Sequence, residues 1–279
     1  MMDIIREVYN LDNITSVGVC DFAEAGPLLD VRAKSRLPRD CASIIVCALP
    51  YYSGDYPGRN VARYAVCDDY HLTCGGLLGE VAGELGRRFP EHAFVPFIDV
   101  SPIREVKAAR LAGLGVIGLH GQLITPQWGP WVFIGCVVTD LRLATQWPKG
   151  GNYALCTTES RLIDTCLECE ACLSACPTGA LSRNGLRREL CRSGITQKKG
   201  ALTSWEEEQV RAGKMVWGCD ICLEACPMGK NPAITPLECL KRGPLPILTR
   251  ENLGQALARK AYSYRGRGVL ERNLELLGG

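Results

Sequence analysis

The sequence contains no long hydrophobic run, no strong excess of either charge, and no signal-peptide pattern at its start. The longest apolar stretches, 42–50 and 131–138, are too short to cross a bilayer as helices. A formal net charge of +2 over 279 residues argues against a general nucleic-acid-binding protein. The first residues, MMDIIREVYNLDN, lack a basic segment followed by an apolar one. We therefore expect a folded, cytoplasmic protein with no membrane partner.

Cysteine, in contrast, is abundant, with 16 in the chain. When a protein has no export signal, clustered cysteines indicate metal binding more often than disulfides. Eight of them form a recognisable pattern. The rest are scattered through apolar or irregular segments, and we expect them to be small buried residues: Cys20, Cys41, Cys47, Cys67, Cys74, Cys136, Cys156 and Cys239.

Seven cysteines of the pattern form two runs, each ending in Cys-Pro: Cys166-x2-Cys169-x2-Cys172-x3-Cys176-Pro177 and Cys219-x2-Cys222-x3-Cys226-Pro227. The eighth, Cys191, lies well upstream of the second run. A [4Fe–4S] cluster takes four thiolates, and in two-cluster ferredoxins the last cysteine of one run ligates the other cluster. The spacing predicts two such clusters, the first held by Cys166, Cys169, Cys172 and Cys226, the second by Cys176, Cys191, Cys219 and Cys222. Cys239 is the alternative to Cys191. Zinc, which also binds CxxC pairs, is the alternative metal.

The cysteine runs divide the chain into three predicted parts. Residues 1–155 alternate apolar, β-branched runs with helical patterns, which indicates an α/β or α+β domain. The predicted strands cover 15–20, 43–49, 93–97 and 131–141. One helix covers 70–89, and another opens at Ser101–Pro102 and stops near Gly113 or Gly115. Residues 156–232 are predicted to form a ferredoxin-like domain with two [4Fe–4S] clusters. Residues 233–279 are predicted to form a short helical segment with Thr249 as a helix N-cap.

This order of motifs resembles the epoxyqueuosine reductase family, cobalamin-dependent enzymes related to reductive dehalogenases. The resemblance begins with the segments CLECEACLSACPTGAL and WGCDICLEACP, which follow an α/β domain. It extends over nearly the whole chain through these further segments: Ala62-Arg63-Tyr64-Ala65, Asp69-Tyr70-His71, Ile98-Asp99-x2-Pro102-x-Arg104-Glu105, Ala112-Gly113-Leu114-Gly115-x-Ile117-Gly118, 131–141, Arg265-Gly266-Arg267 and Arg272-Asn273.

The resemblance implies a fold, cofactors and a reaction. The N-terminal domain would be nitroreductase-like and would bind base-off cobalamin, which the clusters reduce to Co(I). The enzyme would convert the epoxide of epoxyqueuosine in tRNA into the alkene of queuosine. It would receive electrons from an external donor such as flavodoxin or ferredoxin and act as a monomer.

The resemblance also assigns roles to individual residues. Asp99 would be the proton donor, and burial against the corrin would raise its pKa so that it stays protonated. Asp69 and His71 would line the same pocket, and the cobalamin would contact Ser101, Arg104, Gly113, Gly115 and Gly118. Ordinary structural alternatives exist: Asp99 as a helix cap, His71 on a helix face, Asp69 as a first-turn charge, and the glycines as a helix C-cap and turn.

The C-terminal part is basic, and in places the chain departs from the family. From Lys241 onward there are eight basic and three acidic residues, together with Tyr262 and Tyr264. Such a segment suits tRNA phosphates with base stacking, or is an ordinary solvated helix face. The departures lie at 116–120, Asp68 and Met228–Gly229, and the family's C-terminal helical-repeat domain is missing. Two other functions therefore stay open: a corrinoid-dependent reductase of another small substrate, and a non-catalytic electron-transfer protein.

Overall fold

The computed structural model describes residues 16–143, 166 and 168–278. Its strands are β1 Ser16–Asp21, β2 Ser43–Pro50, β3 Phe94–Ile98, β4 Val116–Ile117, β5 Leu123–Ile124, β6 Val132–Thr139, β7 Leu181–Ser182 and β8 Gly185–Leu186. Its α-helices are α1 Tyr70–Arg88, α2 Glu105–Leu111, α3 Ala171–Ala175, α4 Arg192–Thr196, α5 Ser204–Gly213, α6 Ile221–Ala225, α7 Leu253–Arg259 and α8 Arg267–Leu276. In the described part of the chain, no helix combines the length and hydrophobicity needed to span a bilayer.

The chain forms two compact units that are not continuous in sequence. Among the described residues, unit 1 contains 16–50, 71–118, 122–143 and 166, and unit 2 contains 51–70, 119–121 and 168–278. This division differs from the predicted parts because 51–70 packs with the cysteine-rich half, where Val61 pairs with Trp217. Residues 233–279 are likewise part of unit 2. The predicted boundary at 155 and 156, like Cys156, lies outside the described residues.

Unit 1 is built on a four-stranded sheet in the order β1-β2-β6-β3. All three strand pairs are antiparallel, with Val46 of β2 facing Gly18 of β1 and Cys136 of β6. Every residue of β2 is buried, as expected for a central strand covered on both faces. The unit is therefore a mixed structure of the α+β type, one of the two classes that the sequence indicated.

Helices cover both faces of this sheet. Val46 and Cys136 belong to a core that includes Ala108 and Ala109 of α2. On the opposite face, a Cβ at Gly135 would lie 2.5 Å from the Leu78 side chain of α1. Since side chains alternate along a strand, the neighbours Gly135 and Cys136 point to different helices. Glycine at 135 lets α1 approach closely.

Two predicted helix starts are wrong. The helix expected from Ser101–Pro102 begins at Glu105, and its N-cap residue Arg104 makes no side-chain capping bond. Ser101 instead accepts the Ile103 N–H on its hydroxyl oxygen at 3.0 Å, so its capping capacity is used in a turn before the helix. Thr249 is not the cap of α7, which starts at Leu253; it exchanges bonds with Asn252 in the preceding turn.

Unit 2 has its own apolar core, to which distant parts of the chain contribute. Val61, Trp217, Leu253, Tyr262 and Leu270 all lie in it. The Trp217 indole donates to the Tyr64 hydroxyl at 2.7 Å, and its ring lies 5.6 Å from that of Tyr262. The C-terminal helices are therefore part of the unit that carries the cysteines.

Candidate functional site

Apart from Cys166, which belongs to unit 1, the cysteine runs lie in two equivalent segments of unit 2, each with a short helix. Cys172 is the second residue of α3 and Cys176 follows its end as the C-cap; Cys222 and Cys226 hold the same positions on α6. The helices α3 and α6 pack against each other. A proline after each C-cap cysteine prevents helix continuation and sends the chain away. The duplication seen in the sequence is therefore also a structural one.

Three thiols predicted for the second cluster, those of Cys176, Cys191 and Cys219, lie close enough to the fourth, Cys222, to raise its pKa. Burial raises the pKa of the Cys219 thiol, and the charges of Asp220 and Cys191 add to this effect. Burial also raises the pKa of Cys222 to about 12, together with repulsion from Cys219, Cys191, Asp220 and Cys176. Thiols that raise each other's pKa favour a bound cation over four free thiolates. The ligand assignment stays a prediction, as does the alternative ligand Cys239, which is half-buried in the 3₁₀ helix Glu238–Lys241.

Cys176 has a different environment. Its partial burial would raise the thiol pKa, but hydrogen bonds from the backbone N–H groups of Leu181, Thr178 and Ala180 and from the Thr178 hydroxyl outweigh it, so the pKa is lowered. A sulfur surrounded by N–H donors is stabilised as a thiolate. Hydrogen bonds of this kind are also one of the features that set the potential of an iron–sulfur cluster.

In the first predicted set, Cys172 and Cys226 are buried, Cys166 is partly exposed and Cys169 is exposed. Glu168 and Glu170, on either side of Cys169, have φ angles of 48° and 57°. Two left-handed residues make a tight loop, which suits thiolates that must reach one cluster.

The thiolate-only donor set fits [4Fe–4S] clusters, and this can be compared with the zinc alternative. Within residues 16–143, 166 and 168–278, no three His, Cys, Asp or Glu side chains converge as they would on a single metal ion. Each iron of a cubane takes one thiolate, so each predicted set of four cysteines matches one cluster, and the identity of the metal stays a prediction.

Asp220, between Cys219 and Cys222, anchors this loop and was missed in the sequence. Its carboxylate accepts the Arg63 N–H at 2.7 Å and pairs with Arg59 at 3.0 Å. Burial raises its pKa, although Arg59 opposes the effect. An acidic residue between two ligand cysteines is the signal that could have revealed it.

In unit 1, the structure brings together two of the predicted site residues. His71 is the second residue of α1, and Asp99 directly follows β3. Their side chains meet with 3.1 Å between His71 Nε2 and Asp99 Oδ2, and 55% of the Asp99 side chain is exposed. Asp99 also has a φ of 58°, a left-handed conformation that costs on the order of 1 kcal/mol for a residue with a Cβ. Asp69 belongs to unit 2, where its backbone N–H donates to the Arg259 carbonyl oxygen at 2.9 Å.

The five residues predicted to contact cobalamin each have a local structural role. Ser101 forms the turn before α2, and Arg104 donates from Nε to the Pro27 carbonyl oxygen at 3.1 Å. Gly113, with a φ of 76°, directly follows the C-cap residue of α2. The Gly118 N–H donates to the Gln122 carbonyl oxygen. At Gly115, an added Cβ would lie 2.2 Å from the Ile124 carbonyl oxygen. Their contacts with cobalamin stay predictions.

Glu105 is part of a motif quoted in the sequence, but no role in the site was assigned to it there. Burial and repulsion from Asp99 raise its pKa well above the usual value, although bonds from the Asp99 N–H and the Ser101 hydroxyl and the charge of His71 oppose the effect. Its position in the first turn of α2, six residues after Asp99, was the available signal.

Several residues of the basic C-terminal part are buried or paired within the protein, although its composition suggested an exposed surface. Tyr262 is fully buried, so the prediction that it stacks on a base is wrong, whereas 60% of Tyr264 is exposed. Lys260 is also buried, donates to the Val66 carbonyl oxygen at 2.9 Å and lies near Asp68, which pairs with Arg259 at 2.6 Å. Part of the positive charge therefore stabilises unit 2.

Of the scattered cysteines within the described ranges, five are buried as predicted: Cys20, Cys47, Cys67, Cys74 and Cys136. Cys41 and Cys239 are only partly buried.

Two family models match this chain. Residues 165–229 match a model described as a 4Fe-4S double cluster binding domain. Residues 32–100 match one described as epoxyqueuosine reductase QueG, DUF1730.

The chain is similar to several curated proteins named epoxyqueuosine reductase. The one from Staphylococcus aureus is 28% identical over 90% of this chain and 67% of its own length. The one from Gloeobacter violaceus is 34% identical over 66% of this chain and 56% of its own length. The chain thus spans between about half and two thirds of these relatives.

Solved structures share the fold. The epoxyqueuosine reductase of Streptococcus thermophilus has a TM-score of 0.75 at 20% identity, over 99% of this chain and 80% of that one. The Bacillus subtilis enzyme, in a form with its catalytic aspartate loop swung out of the active site, has a TM-score of 0.77 at 20% identity and the same coverage. An epoxyqueuosine reductase bound to an epoxyqueuosine-modified tRNA-Tyr stem loop has a TM-score of 0.74 at 21% identity, with the same coverage.

Proposed function

We propose that this chain belongs to the epoxyqueuosine reductase family, to whose members it is similar, and that it reduces the epoxide of epoxyqueuosine in tRNA to the alkene of queuosine. It would use two [4Fe–4S] clusters and base-off cobalamin, act as a monomer, and receive electrons from an external one-electron donor such as flavodoxin or ferredoxin. The named relatives act on this substrate or bind tRNA that carries it. The proposal extends their activity to a chain that spans only part of their length.

The observation that carries the proposal is the contact between Asp99 and His71. Reduction of an epoxide to an alkene consumes two electrons and two protons, breaks both carbon–oxygen bonds and releases the oxygen as water. Asp99 is the proton donor to that oxygen, because its carboxyl is exposed on a turn and lies 3.1 Å from His71 Nε2. His71, at hydrogen-bond distance, orients the carboxyl and returns a proton to it after transfer.

The cofactors have candidate ligands in this chain. The thiolates of Cys166, Cys169, Cys172 and Cys226 would hold one cluster, and those of Cys176, Cys191, Cys219 and Cys222 the other. Bound cobalamin supplies a strongly reducing, nucleophilic cobalt. Leu72 and Val100, which neighbour His71 and Asp99 in sequence, are 75% and 64% exposed, and a large ring system would cover such apolar surface.

The proposal is tested by anaerobic reconstitution with iron, sulfide and cobalamin, followed by incubation with a reductant and epoxyqueuosine-containing tRNA. We expect about eight irons per chain from two four-iron clusters, one cobalt, and queuosine in the digested tRNA by nucleoside mass spectrometry. Fully loaded protein that forms no queuosine would contradict the proposed substrate. Zinc in place of iron would contradict the cofactors.

Replacing the proton donor should separate catalysis from cofactor loading. With Asp99→Asn, the amide cannot donate as an acid, so kcat should fall by about 10²- to 10⁴-fold while iron and cobalt contents stay unchanged. The rate of queuosine formation under single-turnover conditions measures the loss. Asp30→Asn, at an exposed position, is the matched control and should leave the rate unchanged. An Asp99→Asn protein with the wild-type rate would show that the proton comes from elsewhere.

A corrinoid-dependent reductase of another small substrate is the second candidate. It is favoured by the burial of Tyr262 and Lys260, which reduces the surface available for RNA. The two candidates differ in tRNA binding, which should weaken steeply with salt if the basic residues contact phosphates. A protein that binds cobalamin but shows no salt-sensitive affinity for tRNA would favour the second candidate.

A further inference from the structure

We propose that Glu105 is a positioning residue that fixes the turn carrying Asp99, so that the Asp99 carboxyl stays directed toward His71. The inference rests on the proposed function of Asp99 and assigns that site a buried support.

Glu105 points back toward the turn rather than out to solvent. Its carboxyl accepts the backbone N–H of Asp99 and the hydroxyl of Ser101. The Ser101 hydroxyl oxygen accepts the Ile103 N–H at 3.0 Å, and the Ser101 N–H donates to the Asp99 carbonyl oxygen at 2.7 Å. One side chain thus ties both ends of a three-residue turn to the start of α2.

The turn requires such support because Asp99 is held in an unfavourable conformation. Its φ of 58° is left-handed, which a non-glycine residue adopts only when its surroundings determine it. More than half of the Asp99 side chain is exposed, and its carboxyl lies 3.1 Å from His71 Nε2. Without the bond from its N–H to Glu105, the backbone would relax to an ordinary β or α conformation, which changes the direction of the carboxyl.

The rest of the Glu105 carboxyl is in an apolar environment. Within the described residues, Oε1 is buried and has no hydrogen-bond partner. The Cys136 thiol of the central sheet lies near enough for Glu105 to raise its pKa. Keeping a carboxylate charged costs free energy when one of its oxygens is buried without a hydrogen-bond partner, and repulsion from Asp99 adds to this cost. Both effects raise the pKa of Glu105 and favour its neutral form, whose carbonyl oxygen can still accept the Asp99 N–H.

This assignment predicts that the reaction rate depends on the shape of the Glu105 side chain and on its hydrogen-bond acceptor, and not on a negative charge at this position. Glu105→Gln retains a neutral carbonyl acceptor of the same length, whereas Glu105→Leu retains bulk and loses the acceptor. We expect Glu105→Leu to lower kcat by about 10- to 100-fold with little change in KM, as for a misplaced catalytic group. Glu105→Gln should stay within about threefold of the wild type.

A second measurement follows the turn itself and needs no activity. Amide hydrogen exchange in the segment 94–104, followed by mass spectrometry, should be faster in Glu105→Leu and unchanged in Glu105→Gln. Glu80→Leu, an exposed site on α1, is the matched control for acid-to-leucine replacement and should change neither exchange nor rate.

The results separate this inference from the proposed function. Faster exchange in Glu105→Leu supports the positioning role even if the wild type never reduces epoxyqueuosine. Unchanged exchange in a folded Glu105→Leu protein would overturn it. A Glu105→Gln protein as slow as Glu105→Leu would also overturn it, because Glu105 would then act by exchanging a proton.

Discussion

His120 is almost completely buried, and burial lowers its pKa to about 4. The unfolded chain would bind a proton on this imidazole near pH 6.5, whereas the folded protein would not. Since the folded-state pKa is lower, the stabilisation is present above about pH 6.5 and is lost as the pH falls toward 4. The loss between pH 7 and 5 amounts to about 2 kcal/mol for this group.

His120→Gln should reduce the drop in the free energy of unfolding between pH 7 and pH 5 by about that amount. Urea denaturation at the two pH values measures it. His92→Gln provides the comparison, because His92 is only partly buried and bonds to Asp140 at 3.1 Å. An equal pH dependence in the wild type and His120→Gln would mean that His120 is protonated inside the fold.

Asp99 and His71 also show what the sequence reveals at the scale of residues. The resemblance identified both, and the structure adds the 3.1 Å contact between them. Glu105 was overlooked because an acidic residue in the first turn of a helix usually has an ordinary role near the positive end of the helix. Only the burial of its side chain distinguishes Glu105 from such ordinary first-turn residues.

At the scale of elements, the short hairpin of β4 and β5 explains the glycine at 115. An added Cβ would lie 2.2 Å from the Ile124 carbonyl oxygen, and backbone cannot move aside as a flexible side chain does. In the sequence, this glycine was predicted to approach the corrin. The structure supplies a packing reason that needs no cofactor.

Gly115→Ala should therefore destabilise the cofactor-free protein by about 1–3 kcal/mol, as measured by urea unfolding. The control is Gly83→Ala in α1, where an added Cβ meets nothing within 4 Å; it should be neutral or stabilising by up to about 1 kcal/mol. If Gly115→Ala kept its stability and lost only cobalamin affinity, the glycine would serve the cofactor instead.

Long periodic elements were predicted well, and their ends were not. The helix predicted over 70–89 spans Tyr70–Arg88, and the strand predicted over 43–49 spans Ser43–Pro50. Apolar periodicity is strong within these elements because they line a core. The ends of helices depend on the conformation of single turns. At Ser101 and Thr249, the hydroxyl group forms a hydrogen bond within the preceding turn instead of capping the helix.

At the scale of the whole molecule, Asn273 of α8 joins the segments that lead to the cysteines of the second predicted cluster. Its buried Nδ2 donates to the carbonyl oxygens of Thr196 and Val216, both at 2.8 Å. Thr196 in turn accepts the Gly218 N–H on its hydroxyl oxygen at 2.9 Å. Thr196 is the last residue of α4, the helix that begins directly after Cys191. Gly218 directly precedes Cys219.

Asn273→Ala should leave two buried carbonyl groups unpaired and cost about 2–4 kcal/mol of stability. We expect a lower melting temperature and less iron per chain after anaerobic reconstitution, measured by calorimetry and metal analysis. Asn184→Ala, at an exposed position beside β8, should change neither. Full iron content and an unchanged melting temperature in Asn273→Ala would show that the C-terminal helix does not support the cysteine loops.

The sequence by itself determined the cysteine runs, the strong helical and strand segments and the resemblance to a family, because each of these depends on residue types at short, regular spacings. The tertiary structure decided which strands pair, that 51–70 joins the cysteine-rich unit, and that Tyr262 and Lys260 are buried. It also placed the buried Glu105 carboxyl next to the backbone of Asp99. These features depend on contacts between residues far apart in the chain, which local spacing does not encode and which form only when the apolar surfaces of distant segments are buried together.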